Sequence, residues 1–287
     1  MSAGDPAALT AAVPHPVRSS RPSRRGLLGA FVAAFLAAGT LAAAPAPAAA
    51  AGIKVAIVVG PAGSLTSRYL ASARSYADRA RAHGATVVEV YTPNATWTRV
   101  RSAVQGANLL IYLGHGNGFP NPYSATLDPR KVDGLGLNPY AGSGNTRTAY
   151  YGESYVSRYL ALAPNAVVIL NHACYSAGSS EPGRPNPSVT VARKRVDNFA
   201  AGFLRAGAAA VFATLGDASH LIDALFTTDQ TMGQIFWAAP DRTWSYRGSF
   251  ASVRTPGATA VLDPQRPGVY HRSVVGRLTV TAAAWRG

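Results

Sequence analysis

The chain has 287 residues, a formal net charge of +14, 48% hydrophobic residues and a single cysteine, Cys174. One cysteine excludes an internal disulfide, and a lone thiol is either a small buried hydrophobe or a group kept for its chemistry. The basic residues are scattered, and no stripe of Lys or Arg alternates with aromatic residues. The composition therefore predicts no nucleic-acid partner.

The N-terminal residues have the layout of an export signal. Four arginines lie in the first 25 residues, namely Arg18, Arg21, Arg24 and Arg25. An apolar run over 27–44 and an Ala/Pro-rich stretch over 45–51 follow them, and residues 23–28 resemble a twin-arginine motif. We expect cleavage near residues 48–52 and a secreted or extracytoplasmic mature protein. A membrane anchor is the alternative, but the apolar run is Ala/Gly-rich and only weakly hydrophobic.

The mature chain stays basic. Residues 1–51 hold four arginines and one aspartate, a net charge of +3, so the remaining residues keep +11. This sign suits anionic surroundings such as cell-wall polymers, but a solvated basic surface is the preferred explanation. The sequence does not predict the oligomeric state, the natural substrate or a need for activating cleavage.

Strands alternate with helices after the signal. Apolar runs predict strands at 53–60, 85–91, 108–113, 166–171 and 208–214, and amphipathic segments predict helices at 67–83, 96–105, 153–162, 189–206 and 221–238. The alternation predicts one α/β domain over 52–239, a three-layer αβα sandwich with a mostly parallel sheet. The C-terminal extension, 240–287, has one strand-like segment at 273–282, so it either adds an edge strand or covers the sheet.

Two polar loops follow predicted buried strands. Residues 114–118, Gly-His-Gly-Asn-Gly, end the third strand, and residues 171–178, with His172 and Cys174, end the fourth. Catalytic groups of parallel sheets lie at this edge, so His115 and Cys174 face each other if the two strands are neighbours. An imidazole there stabilises the thiolate and can protonate a leaving amine. The N–H groups of Gly116 and Cys174 are candidate donors to an oxyanion.

An apolar strand ending in His-Gly and a later one ending in Ala-Cys resemble the caspase-like cysteine peptidases, which include caspases, metacaspases, legumains, clostripain and gingipains. The resemblance covers residues 53–238 in architecture, but its motifs are only residues 113–116 and 170–174. It implies a caspase-like sheet, a protein or peptide substrate and no cofactor. It also implies that His115 is the general acid, that Cys174 is the nucleophile, and that the amides of Gly116 and Cys174 form the oxyanion site.

The substrate pocket departs from the family pattern. His172 stands two residues before the nucleophile, where the resemblance places a wall of the pocket that is often acidic or Gln. An imidazole offers no carboxylate to a basic side chain, so we expect acidic or neutral polar substrate residues to be preferred over Arg or Lys. Asp217, after the fifth strand, would reverse this preference if it entered the pocket. The long loop 117–151 either forms a lid over the site or lies at the edge of the sheet without a role in the site.

Two other functions remain open. A caspase-like domain without activity can serve as a binding or scaffold module at the cell surface. A metal-dependent hydrolase is the other reading, because five potential zinc ligands follow the third, fourth and fifth strands: His115, His172, Cys174, Asp217 and His220. Their spacing matches no tight metal motif, and no metal site is predicted. The chain has no Gly-x-Ser-x-Gly elbow, which disfavours a serine hydrolase.

Overall fold

A computed structural model describes residues 52–287. The export signal predicted over residues 1–51 lies outside this range. No helix between residues 52 and 287 is both long enough and apolar enough to cross a bilayer.

Ten strands and seven α-helices make up the described part of the chain. The strands are β1 (Lys54–Val59), β2 (Thr86–Tyr91), β3 (Leu109–Leu113), β4 (Leu135–Leu137), β5 (Ala149–Tyr151), β6 (Ala166–Asn171), β7 (Ala208–Thr214), β8 (Gly248–Ala251), β9 (Thr259–Arg266) and β10 (Val269–Gly276). The helices are α1 (Thr66–Ala82), α2 (Trp97–Val104), α3 (Glu153–Tyr159), α4 (Val189–Arg205), α5 (Ser219–Thr227), α6 (Met232–Ala238) and α7 (Ala282–Arg286). A short 3-10 helix, Gly63–Leu65, precedes α1.

Eight strands form the central sheet in the order β2-β1-β3-β6-β7-β10-β9-β8. The first five are parallel neighbours, and the last three are antiparallel additions. Strands β1, β3, β6 and β7 are nearly continuous apolar runs because helices cover both faces of this part of the sheet. The predicted α/β sandwich with a mostly parallel sheet is confirmed.

Two apolar cores lie on opposite faces of the sheet. Helices α2, α3 and α4 pack on one face, where Val100, Val156 and Phe199 are buried. Helices α1, α5, α6 and α7 pack on the other, with Tyr76 and Trp285 among the buried side chains. Successive side chains of a strand point to opposite faces of the sheet, so each central strand contributes residues to both cores. The sheet and the two helix layers form the three layers of the sandwich.

The C-terminal residues contribute three strands to the same sheet. The sequence predicts a single strand at 273–282, whereas the chain forms β8, β9 and β10, and β10 pairs antiparallel with β7. The short Pro267-Gly268 connection, with Gly268 at φ 81°, turns β9 into β10. Proline fixes its own φ, and the glycine after it adopts the left-handed conformation, which together allow a tight turn between two strands. The Pro-Gly pair is therefore a sequence signal for this turn, whereas the pattern of apolar residues gives none.

The helix predicted over 221–238 is divided in two. Helix α5 ends at Thr227, and α6 begins after Thr231, which caps it. The Thr231 hydroxyl accepts the Gln234 N–H at 3.2 Å, and the Gln234 side chain accepts the Thr231 N–H at 2.8 Å. This reciprocal capping box stabilises a helix start in the middle of the apolar stretch.

The long loop after β3 has structure of its own. Strands β4 and β5 pair antiparallel within it as a separate two-stranded sheet. Asp133 is fully buried at the base of this segment, and its Oδ1 accepts the Phe119 N–H at 2.9 Å. This hydrogen bond therefore connects the inserted segment to Phe119, four residues after His115.

Candidate active site

The two sequence motifs lie side by side at the carboxyl edge of the sheet. Strands β3 and β6 are parallel neighbours, and Leu113 at the end of one pairs with Asn171 at the end of the other. The loops that carry His115 and Cys174 leave the sheet at this level. Sheet topology thus brings together two motifs that are far apart in sequence.

The backbone around Cys174 makes a tight turn. His172 and Tyr175 adopt φ values of 60° and 69°, a left-handed conformation that non-glycine residues rarely take. The His172 N–H donates to the Thr214 carbonyl on β7 at 2.9 Å, and the Ser176 hydroxyl donates to the Ala173 carbonyl at 2.7 Å. These bonds offset the backbone strain and hold Cys174, which is half-buried, at the mouth of the turn.

A buried tyrosine supports the His115 loop from below. The Tyr112 hydroxyl, on β3, lies 2.8 Å from the His115 carbonyl oxygen and accepts the Gly136 N–H of β4 at 2.9 Å. Its side chain is completely buried, and burial raises the pKa of this phenol. The hydroxyl therefore stays protonated and fixes the His115 backbone against the inserted two-stranded sheet.

Gly116 is in direct contact with the Cys174 backbone. A β-carbon at position 116 would lie 2.0 Å from the Cys174 carbonyl oxygen and 2.6 Å from its amide nitrogen, so only glycine fits there. Within residues 52–287, neither the Gly116 N–H nor the Cys174 N–H donates a hydrogen bond to another residue. Amides on touching loops that donate to no other residue are suited to bind a developing negative charge.

His115 and Cys174 line one pocket of about 700 Å³. The His115 side chain is exposed, whereas His172 and Cys174 are partly buried. No hydrogen bond joins the His115 ring to the Cys174 sulfur in the described part of the chain. The other walls come from residues around the 3-10 helix, from the segment 177–186 and from the β9–β10 hairpin.

Partial removal from water is the largest influence on the pKa of both candidate catalytic groups, even though His115 is the more exposed of the two. It raises the pKa of the Cys174 thiol, and the nearby Glu181 carboxylate raises it further. Partial removal from water lowers the pKa of the His115 imidazole, with Glu181 acting in the opposite direction. At neutral pH the resting pair is therefore a neutral imidazole and a protonated thiol.

His172 lines the pocket through a stacked ring. Its imidazole lies parallel to the Tyr69 ring, with centroids 5.1 Å apart and planes 9° apart. Burial, with a smaller contribution from Arg68, lowers the pKa of His172, so the imidazole is neutral. His172 and Tyr69 together form a flat aromatic wall next to Cys174.

Asp217 lies outside this pocket. It borders a separate small depression, together with His220 and Asp241. Its carboxylate accepts hydrogen bonds from the Tyr76 hydroxyl and the Ser219 hydroxyl at 3.1 and 3.0 Å. These bonds hold the Asp217 side chain against helix α1 and the start of helix α5, and Asp217 is not among the residues that line the Cys174 pocket.

The five potential zinc ligands do not form one cluster. His115, His172 and Cys174 line the large pocket, whereas Asp217 and His220 line the small one. Between residues 52 and 287, no group of three or more His, Cys, Asp or Glu side chains is arranged to hold a metal ion. The metal-dependent reading has no support in this arrangement.

Sequence reasoning misses two residues of the site. Glu181 faces the pocket from the segment after the Cys174 turn and is bound by Arg184 and by the Tyr123 hydroxyl. Arg195, buried on helix α4, donates to the Pro120 and Gly178 carbonyls at 2.7 and 3.1 Å. Arg195 therefore joins the loop after His115 to the loop after Cys174, and its place on an otherwise apolar helix face is the signal that points to it.

The comparisons with known proteins concern the fold alone. No protein-family model matches the chain, and no curated protein is significantly similar. Two crystal structures of the Saccharomyces cerevisiae separase–securin complex, at 3.0 and 2.6 Å resolution, match it with 16% sequence identity and a TM-score of 0.28. The matches cover 64% and 61% of this chain, and this chain spans only 10% of each matched chain. Any account of function therefore depends on the residues themselves.

Proposed function

We propose that this protein is a caspase-like cysteine endopeptidase. One observation carries the proposal: the loops of His115 and Cys174 touch through Gly116, and neither the Gly116 amide nor the Cys174 amide donates to another residue between residues 52 and 287. Structural packing alone does not require a thiol and an imidazole at one pocket, with a glycine contact joining the loops that carry them.

The reaction uses these groups in sequence. The thiol proton of Cys174 passes to the neutral His115 imidazole while the sulfur attacks the carbonyl carbon of the peptide bond. The amides of Gly116 and Cys174 donate to the resulting oxyanion. When the C–N bond breaks, the imidazolium gives its proton to the leaving amine, and a thioester remains on Cys174. Water then attacks the thioester, its proton returns through His115 to the sulfur, and the carboxylic acid leaves.

The directions of the two pKa shifts favour this order of events. A raised thiol pKa and a lowered imidazole pKa describe a neutral pair rather than a resting ion pair. His115 must then act as a base during attack before it acts as an acid. We expect activity to fall at low pH, when the imidazole is protonated and can no longer accept the thiol proton.

We also propose that the protein works outside the cytoplasm. The basic, apolar and Ala/Pro-rich order of residues 1–51 supports export with cleavage near residues 48–52. The mass of the secreted form tests this, with Arg24→Lys/Arg25→Lys as the matched variant. A full-length chain retained in the membrane would contradict it.

A second candidate is a binding or scaffold module that has lost catalysis. The missing hydrogen bond between His115 and Cys174 within the described residues, together with the raised thiol pKa, favours it. Alkylation separates the two candidates. A peptidase requires an accessible Cys174 that iodoacetamide modifies and that a bound peptide protects, whereas a scaffold requires neither.

Peptide hydrolysis is the direct experiment. The purified protein is assayed on a mixed peptide library beside Cys174→Ala and His115→Ala, with His83→Ala as the control because His83 pairs with Asp223 away from the pocket. Both site variants should lose at least about a thousandfold in rate, while the control keeps it. Hydrolysis that survives in Cys174→Ala would exclude this chemistry.

A further inference from the structure

We infer that the pocket beside Cys174 selects substrates by a large apolar side chain, and not by an acidic or a basic one. The inference rests on the proposed peptidase function, because it names the substrate class of the same site. It replaces the preference for acidic or neutral polar residues that the sequence predicts from His172.

The pocket that His172 lines has an apolar wall. It is formed by Leu65 from the 3-10 helix, Tyr69 from α1, Leu215 after β7 and Val269 from the β9–β10 hairpin. Leu65 and Leu215 remain 47% and 39% exposed, which is unusual for leucines that line a concave site. A substrate side chain that covers them removes this apolar surface from water, and that burial is the main source of binding energy available here.

His172 belongs to the apolar wall rather than to a polar recognition site. Its ring is stacked on Tyr69, and the imidazole is neutral. A neutral ring that is covered on one face presents a flat surface for packing. It gives no charge that would offset the desolvation of a substrate carboxylate.

The charged residues of the pocket disfavour a basic substrate side chain. Glu181 is the carboxylate that faces the pocket among the described residues, and Arg184 already binds it at 3.2 Å, together with the Tyr123 hydroxyl. Arg266 adds a second positive charge and has no carboxylate partner in the part of the chain that the structure describes. Lys or Arg would therefore enter a site whose negative charge is already neutralised.

Arg266 does not make the pocket specific for acids. Its side chain lies exposed on the rim, at the end of β9, where an ion pair with substrate is screened by solvent. An Asp or Glu side chain long enough to reach the aromatic wall would lie against Leu65, Tyr69 and Leu215, and would lose its hydration there. Only an apolar side chain is compatible with the whole wall.

Binding measured without catalysis tests this inference. Full-length Cys174→Ala is titrated with fluorescent peptides that are identical except at one residue, which is Leu, Phe, Asp or Arg. We expect the Leu and Phe peptides to bind at least tenfold more tightly. Leu215→Asp in the same background should lose that preference, while Val253→Asp, at a residue 85% exposed outside the pocket, should keep it.

The outcomes separate this inference from the proposed function. Tighter binding of the Arg or the Asp peptide, or an unchanged preference in Leu215→Asp, would overturn it. If the apolar peptides bind best but the protein with Cys174 intact cleaves none of them, the specificity stands and the peptidase function fails. If Leu215→Asp unfolds, Leu65→Asp gives the same test, because Leu65 is exposed and replaceable at little cost in stability.

Discussion

Gly116 and Cys174 lie backbone against backbone, with the position of a missing β-carbon on Gly116 only 2.0 Å from the Cys174 carbonyl oxygen. The contact joins the loop after β3 to the loop after β6, and in the described part of the chain neither of the two amides donates to another residue. Glycine at position 116 therefore sets the distance between the imidazole loop and the thiol loop. Several properties of the site depend on this one contact.

Replacement of Gly116 by Ala should push the two loops apart. The added methyl group overlaps backbone atoms that have no room to move, so we expect at least about a hundredfold loss of peptide hydrolysis, as when an oxyanion donor is displaced. Gly248→Ala is the control, because Gly248 lies on the edge strand β8 with only an Arg193 side-chain atom at 4.0 Å. Full activity in Gly116→Ala would show that the contact is not needed for catalysis.

Glu181→Gln should make the thiol more reactive at neutral pH. The Glu181 carboxylate raises the pKa of Cys174, so a neutral amide of the same shape lowers that pKa and increases the thiolate fraction. We expect iodoacetamide to modify Cys174 about two- to fivefold faster at pH 7, with the pH profile of modification shifted to lower pH.

Glu89→Gln is the matched control for this change. Glu89 also accepts from an arginine, Arg81, but it lies on strand β2 and outside the Cys174 pocket. Its replacement should leave the modification rate of Cys174 as it is. An equal rate in the wild-type protein and in Glu181→Gln would mean that burial alone sets the thiol pKa.

Arg195→Met should destabilise the protein and loosen the site. Arg195 is only 5% exposed, lies 4.6 Å above the Tyr175 ring and donates to the Pro120 and Gly178 carbonyls. Its loss leaves buried carbonyls without donors, at a cost of about 2–4 kcal/mol in the free energy of unfolding. Thermal unfolding measures this, with Arg193→Met as the surface control, for which we expect at most ~1 kcal/mol. Equal Tm values for the two variants would argue against the bridging role.

Asp133 should make stability depend on pH. Burial raises the pKa of Asp133 to about 7 and outweighs the opposite effect of the one N–H that Oδ1 accepts, while Oδ2 has no partner between residues 52 and 287. The folded protein then holds this proton more tightly than the unfolded chain does, so stability falls as the pH rises from about 4 to about 7 and levels off above that range. The loss reaches up to about 4 kcal/mol at ~1.4 kcal/mol per pH unit.

Asp133→Asn removes this titration. The unfolding free energy of the variant should fall less steeply than that of the wild-type protein between pH 4 and pH 7. Asp128→Asn is the control, because the Asp128 carboxylate is paired with Arg130 at the surface. Parallel pH profiles for the wild-type protein and Asp133→Asn would show that this carboxyl stays ionised in the folded state.

The sequence predicts the parallel half of the fold well, because each buried strand there is a continuous apolar run. The runs at 166–171 and 208–214 coincide with β6 and β7. The strands of the C-terminal half are harder to predict from the sequence. Strand β9 contains Pro264 and three exposed residues, and β8 alternates between partly buried and exposed positions, so neither has the apolar signature of a central strand.

The sequence predicts those site residues whose positions follow from the order of the strands in the sheet. His115, Gly116, His172 and Cys174 follow adjacent strands, and sequence places all four at one edge. Glu181 reaches the site through loop packing, which no periodicity in the sequence reveals. Arg195 is marked only by its place on an otherwise apolar face of helix α4. Asp217 follows the neighbouring strand β7, but its hydrogen bond with Tyr76 holds it against helix α1, and it does not line the pocket.

Capture of an acyl-enzyme is the most direct test of the central claim. A peptide ester is mixed with the purified protein, the reaction is quenched with acid within milliseconds to seconds, and the protein is digested and measured by mass spectrometry. We predict that the acyl mass appears on the peptide that contains Cys174, that it is absent in Cys174→Ala, and that it forms far more slowly in His115→Ala. An acyl group on any other residue, or turnover of the ester with Cys174 never modified, would contradict the account.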